Sequence, residues 1–180
     1  MSGPEARRLF FALWPDGAGA DALAAAARVV HKACGGRPTG RDDLHLTLAF
    51  LGDATAERLA AAEEAAAGVV AAPFDFAINR LGCWQHNRIL WAGCTETPLP
   101  LAALARDLAE RLRTAGFVLD ARPYAPHVTL LRQADCHRAV PLAAPVPWAA
   151  TEFVLAESRP TPAGGRYTVI GRWPLAPAIG

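Results

Sequence analysis

Two short stretches of the chain carry residues able to do acid–base chemistry: His45-Leu46-Thr47-Leu48 and His127-Val128-Thr129-Leu130, one in each half of the 180 residues. Each sets a histidine two positions before a threonine, among residues that favour strands. Strand side chains alternate between faces. His45 and Thr47 therefore share one face, and Leu44, Leu46, Leu48 and Phe50 are expected on the other. Histidine titrates near neutrality, so two in one cleft can supply a neutral base and a charged acid at the same pH. A threonine hydroxyl on that face can donate a hydrogen bond to an oxyanion lying between the strands. Two histidines and two hydroxyls around one centre suit in-line displacement at phosphorus: one histidine activates the attacking group and the other protonates the leaving oxygen. A zinc site would need a third and fourth ligand in order, and none is evident, so neither metal nor cofactor is expected.

The elements that must position these residues follow from spacing and turn chemistry. Arg8 to Trp14 reads as a buried strand closed by Pro15-Asp16. A helix follows from Asp16 to about Cys34, with Leu23, Ala26, Ala27, Val30 and Ala33 on one face, and Gly35-Gly36 stops it. The loop Arg37 to Asp43 leads into the His45 strand, which ends at Gly52-Asp53. Asp53 or Thr55 can cap a second helix with Leu59, Ala62, Ala66 and Val69 inward. Strands are expected over Phe74–Leu81 and Arg88–Cys94, around a turn at Gln85-His86-Asn87. A third helix runs from about Pro98 to Ala115, with Thr97 as its cap and Leu101, Leu104, Leu108 and Leu112 facing the core. Arg122 to Pro126 is a stiff approach to the second histidine strand. Residues 134 to 147 read as a loop, and Trp148–Glu157 and Arg166–Trp173 as two closing strands joined across Gly164-Gly165. No linker separates the halves. The expectation is one α+β domain over residues 1–180, bilobal and pseudo-symmetric, with two antiparallel sheets lining a central cleft and helices outside.

A formal net charge of +1 argues against a protein that coats long nucleic acid by charge alone. Cys34, Cys83, Cys94 and Cys136 are scattered without a Cys-x-x-Cys pair and read as reduced thiols. The apolar run Leu9 to Trp14 is too short for a signal peptide or membrane span, so a cytoplasmic protein without membrane contact is expected. Oligomeric state is left open, with a monomer as the default.

The segments Arg8 to Pro15, Leu44-His-Leu-Thr-Leu-Ala-Phe-Leu-Gly52, Arg122-Pro-Tyr-Ala-Pro-His-Val-Thr-Leu-Leu-Arg132 and Gly165-Arg166-Tyr167 resemble the two-histidine phosphoesterase superfamily. More closely, they resemble the bacterial RNA 2',3'-cyclic phosphodiesterases, also described as 2'-5' RNA ligases. The resemblance implies a bilobal fold with a water-filled cleft, and hydrolysis of a terminal 2',3'-cyclic phosphate on RNA to leave a 2'-phosphate. By motif position, it makes His45 the donor to the leaving 3'-oxygen and His127 the base that activates water. Thr47 and Thr129 would hold the non-bridging oxygens, and ligation would place an RNA hydroxyl where water attacks. Arg132 matches a position used near the phosphate. It stands five residues from His127, so strand parity turns it to the opposite face unless the strand ends or bulges first. Where the family pattern often has Phe and Arg, this chain has Tyr124 and Ala125.

Phe10, Trp84, Trp91 and Tyr124 could stack on a base or simply pack the core; Phe10 and Tyr124 fall in the resembling segments and are retained as substrate-binding candidates. His31, His86 and His137 lack a following threonine and read as surface histidines. Arg41, Asp42 and Asp43 could steer substrate, orient His45 or be solvated loop. The expected partner is RNA with a 2',3'-cyclic phosphate end or a small cyclic nucleotide. The competing readings are a module that binds RNA ends without turnover, and a relative acting on 2'-5' oligonucleotides or ADP-ribose cyclic phosphate.

Overall fold

The structure is a computed structural model that describes residues 7–135, 137, 141–161 and 164–177. Within them the chain runs β1 (Arg7–Leu13), α1 (Gly17–Cys34), β2 (Arg37–Pro38), a 3-10 turn (Arg41–Asp43), β3 (Leu46–Ala54), α2 (Ala56–Ala67), β4 (Phe74–Ile78), β5 (Arg80–Trp84), β6 (Ile89–Gly93), α3 (Leu99–Thr114), β7 (His127–Arg132), β8 (Val146–Ala150), β9 (Glu152–Thr161) and β10 (Gly164–Pro174). The fold is α+β with two antiparallel sheets of unequal size. The larger has the order β10-β9-β1-β3-β7-β6-β5, with β2 added on β7, and the smaller is the pair β4-β8.

Helix starts follow side-chain chemistry. Asp16 Oδ1 accepts from the Gly19 N–H at 2.7 Å to open α1, and Thr55 Oγ1 accepts from the Arg58 N–H at 3.3 Å to open α2. The expected Thr97 cap is not made: Pro98 takes the N-cap position of α3 and no side chain caps it. The core-facing assignments for α3 hold, since Leu101, Leu104, Leu108 and Leu112 are buried.

Two segments expected as single strands are each divided between the sheets. Residues 74–81 turn at Asn79, with β4 pairing β8 and β5 pairing β6; residues 148–157 turn at Thr151, between β8 and β9. At the first corner the Asn79 side chain accepts from the Thr95 N–H at 2.8 Å, so a polar residue that can satisfy backbone elsewhere lets the ladder break. Each corner carries an adjacent polar pair, Asn79-Arg80 and Thr151-Glu152, where the alternation breaks and the strand changes sheet.

The cysteine expectation needs a correction. Cys83 is disulfide-bonded. Pairing requires only that two Cα atoms come within a few ångströms in the fold, which spacing along the chain does not reveal. Cys94 Sγ donates to the Ala77 carbonyl, Cys34 is buried, and Cys136 lies outside the described residues, as do residues 138–140 of the loop expected over 134–147. Among the described residues no helix is long and apolar enough to cross a membrane.

Candidate active site

The two halves of the large sheet meet at a narrow seam. β3 and β7 share one paired position, Leu46 with Val128, the middle residues of the two His-x-Thr motifs. Both are fully buried. Their neighbours therefore project to the opposite side, and antiparallel register sets Thr47 across from His127 and His45 across from Thr129. One histidine and one threonine from each half thus surround a single point.

Both imidazoles are held in the same way. His45 Nδ1 lies 2.7 Å from the Asp43 carbonyl and His127 Nδ1 lies 2.8 Å from the Ala125 carbonyl, two residues upstream in each case. A carbonyl only accepts, so each Nδ1 carries the proton, and in the neutral ring Nε2 is the free lone pair. The twin carbonyls fix the tautomer that general acid–base work on a substrate needs.

Aromatic walls set the electrostatics. Around His45, Trp14 stacks at 4.9 Å, Phe10 lies at 4.8 Å and Tyr167 meets the ring edge-on at 4.8 Å. Desolvation there pulls the His45 pKa from 6.5 to about 4; the Asp43 carbonyl opposes this, while the charges of His127 and Arg132 add to it. His127 stands edge-on to Trp84 at 4.5 Å and is also lowered, first by burial and then by Arg132, against the Ala125 carbonyl. Trp91 can lie beside His127, at 6.5 Å, because residue 82 is glycine: a Cβ there would come within 2.2 Å of the indole.

The parity question at Arg132 is answered by a bulge. Along β7, Thr129 pairs with Trp91 and Leu131 with Leu90, which leaves Leu130 as the extra residue. Leu130 and Leu131 are both fully buried, which strict alternation forbids. The next residue, Arg132, is returned to the histidine face, and its charge is felt by both rings. β3 repeats the device. Thr47 pairs with Ala12 and Ala49 with Phe11, leaving Leu48 as the extra residue, and Leu48 and Ala49 are both buried. Phe50, expected on the core face with the leucines, is therefore turned to the Thr47 face and is 50% exposed.

A cleft of about 1110 Å³ opens beside this centre, with Thr47, Trp84, Tyr124 and His127 in its lining. His45, Thr129, Arg132 and Phe10 do not line it. Phe10 corrects its expectation as a base platform: it is 3% exposed, with its ring covered by His45, Trp14 and Tyr167. Tyr124 donates its hydroxyl to the Thr47 carbonyl at 3.2 Å, tying the approach to β7 onto β3, and burial raises its pKa. Trp14 was not singled out from the sequence. It donates to the Asp42 carbonyl at 3.0 Å, next to the carbonyl that holds His45. Asp43 Oδ1 accepts from the Tyr167 N–H at 3.4 Å, so the 3-10 turn orients His45. Among the described residues, no group of three or more His, Cys, Asp and Glu could hold a metal ion.

Comparison with known proteins points the same way. Residues 13–91 match the family model described as LigT like phosphoesterase. The RNA 2',3'-cyclic phosphodiesterase of Escherichia coli (strain K12) is 37% identical over 143 residues, 78% of this chain and 80% of that protein. The chain belongs to this phosphoesterase family. Its fold follows solved members: the crystal structure of E. coli LigT complexed with 3'-AMP matches 95% of this chain and 99% of that chain, with 33% identity and a TM-score of 0.87. The phosphate complex of E. coli LigT matches 96% and 99%, with 32% identity and a TM-score of 0.80.

Proposed function

We propose that this phosphoesterase opens the 2',3'-cyclic phosphate at the end of an RNA, leaving a 2'-phosphate, with His45 and His127 as the acid–base pair. The observation that carries this reading is the Leu46–Val128 pairing, which sets a histidine and a threonine from each half around one point. Relatives named for this activity, and family structures that hold 3'-AMP or phosphate, support the substrate class. We further read residues 1–180 as one two-lobed catalytic unit, because the site takes one strand from each half. The proposed setting is a monomer in the cytoplasm.

In the proposed mechanism, His127 Nε2 takes a proton from water as its oxygen attacks phosphorus. The bond to the 3'-oxygen breaks in line, and His45 Nε2–H gives that oxygen its proton. The products are a 2'-phosphate and a 3'-hydroxyl, and the pair resets by exchanging one proton with solvent. The Thr47 and Thr129 hydroxyls and the Arg132 guanidinium hold the non-bridging oxygens, where negative charge builds. Burial lowers His45 further than His127, so a single proton on the empty pair rests mainly on His127. The scheme runs through the minority form with the proton on His45, in which the stronger acid faces the stronger base. Both rings favour neutrality in the empty site, so the anionic phosphate brings the charged form with it. An RNA 5'-hydroxyl in the place of water would yield a 2'-5' linkage from the same groups.

The test is incubation in EDTA with a short RNA ending in 2',3'-cyclic phosphate, with 2'- and 3'-phosphate products separated. We expect the 2'-phosphate, and a loss of about 100- to 10,000-fold in rate for His45→Ala and His127→Ala, with binding largely kept. Binding without any turnover would make the cleft a reader of RNA ends instead.

A further inference from the structure

The cleft beside the histidines is larger than one phosphate needs. Its volume of about 1110 Å³ is at or above the upper end for a site that encloses one small ligand. From Thr47 it continues along β3 to Phe50, Leu51 and Gly52, and across to α3, where Arg106 and Arg113 line the far wall.

Phe50 is placed there by the fold. It stands three residues after Thr47, as Arg132 stands three after Thr129, and each is turned to the motif face by the bulge between. At the pseudo-equivalent positions the second half thus carries a cation and the first an aromatic ring. Phe50 lines the cleft and is 50% exposed, whereas the Arg8 guanidinium, over its ring at 5.4 Å, is not part of the lining.

Across the cleft, Arg106 and Arg113 are two helical turns apart, about 10 Å along α3, with Ala109 between them and on the same lining. Both are exposed, and among the described residues neither has an ion-pair or hydrogen-bond partner. Nearby cations are committed elsewhere: Arg111 to Asp107 at 3.0 Å, and Arg122 to Asp120. A half-exposed aromatic ring sharing a cleft with unpaired guanidinium groups is the chemistry that reads single-stranded nucleic acid: bases stack and backbone phosphates are held by charge.

We propose that Phe50 stacks the base of the nucleotide on the 5' side of the terminal one, while Arg106 and Arg113 hold backbone phosphates, which makes an RNA strand of two or more nucleotides the preferred substrate over a free cyclic mononucleotide. This deepens the functional reading above and rests on it for the position of the cyclic end.

The test uses the whole protein and measures equilibrium binding, by calorimetry, of a trinucleotide ending in 3'-phosphate and of a nucleoside 3'-phosphate. The wild type should bind the trinucleotide more tightly. Phe50→Ala should weaken the trinucleotide by about 5- to 150-fold more than it weakens the mononucleotide, the range of base stacking on one aromatic ring, and Phe50→Trp should restore the difference. Arg106→Gln and Arg113→Gln should each flatten the slope of log affinity against log salt by about 0.7 for the trinucleotide. Equal affinity for the two ligands, an equal effect of Phe50→Ala on both, or unchanged salt slopes would each overturn the proposal. Because these are binding measurements, they remain decisive if no cyclic phosphate is hydrolysed. Turnover of a nucleoside 2',3'-cyclic phosphate separately tests the proposed function.

Discussion

Replacing Tyr167 by alanine tests the source of the His45 electrostatics. The Tyr167 ring meets His45 edge-on at 4.8 Å, and among the described residues its hydroxyl has no hydrogen-bond partner, so the substitution removes packing and leaves the backbone contact to Asp43 in place. The depression of His45 from 6.5 to about 4 is equivalent to about 3 kcal/mol against charging the folded ring. Between those two pH values the unfolded chain holds a proton on His45 that the folded chain lacks. Stability is therefore complete above 6.5 and declines, by up to about 3 kcal/mol, as the pH falls through the window to about 4. Water entering the space left by Tyr167 should raise the His45 pKa toward its ordinary value and shrink that acid-dependent loss. The assay is NMR titration of the histidine ring signals, alongside urea unfolding at neutral and at acid pH. Wild-type His45 titrating near 6.5, or a variant whose His45 titrates with the wild type near 4, would refute the argument that the aromatic walls set its charge.

Two further outcomes follow from the same geometry. The kcat/KM profile for a cyclic phosphate should be bell-shaped, with limbs that belong to the histidine pair; because burial lowers both rings, the alkaline limb should lie below 6.5. A profile that is flat there, with chemistry shown to limit the rate, would count against a two-histidine scheme. Arg132→Gln should move that limb to higher pH, since the guanidinium lowers both pKa values, and should reduce kcat/KM by about 10- to 150-fold, the worth of a hydrogen bond to a charged group. An Arg132→Gln enzyme with wild-type kcat/KM and an unmoved limb would return Arg132 to the solvent-facing role that simple alternation assigns it.

What could be read from the sequence was local. His45 with Thr47, and His127 with Thr129, share faces because two-residue alternation holds over so short a span, and the helix faces of Leu101 to Leu112 follow from 3.6-residue spacing in the same way. Alternation failed just after each threonine, where a bulge resets the parity. The sign was present in the adjacent apolar pairs Leu48-Ala49 and Leu130-Leu131, which no half-buried strand should contain. The corners at Asn79 and Thr151 were marked too, by the adjacent polar pairs Asn79-Arg80 and Thr151-Glu152, but a short polar interruption does not say that the next strand joins another sheet. Trp14 and Tyr167 act on His45 only after β1 and β10 are brought to one side of the sheet, so nothing in their own surroundings announced them. The carbonyls of Asp43 and Ala125 carry no side-chain signal at all.

The places where the two halves differ give the site its direction. Two identical His-x-Thr strands related by a pseudo-two-fold would treat the attacking and leaving oxygens alike, and a symmetric site has no means of choosing which bond to break. Here the symmetry is kept in the backbone, in the twin Nδ1 contacts and in the twin bulges. It is broken in what surrounds each ring and in the residue each bulge presents. Three aromatic rings enclose His45 and make it the stronger acid, while His127 borders the open cleft. Arg132 brings a charge that favours the phosphate, and Phe50 brings an apolar face that favours a base. In the proposed reading, a dinucleotide end lies across the seam with its anionic centre between the histidines and its preceding base toward β3. On this reading the pseudo-symmetry supplies the paired groups, and the substitutions at its equivalent positions decide which oxygen leaves.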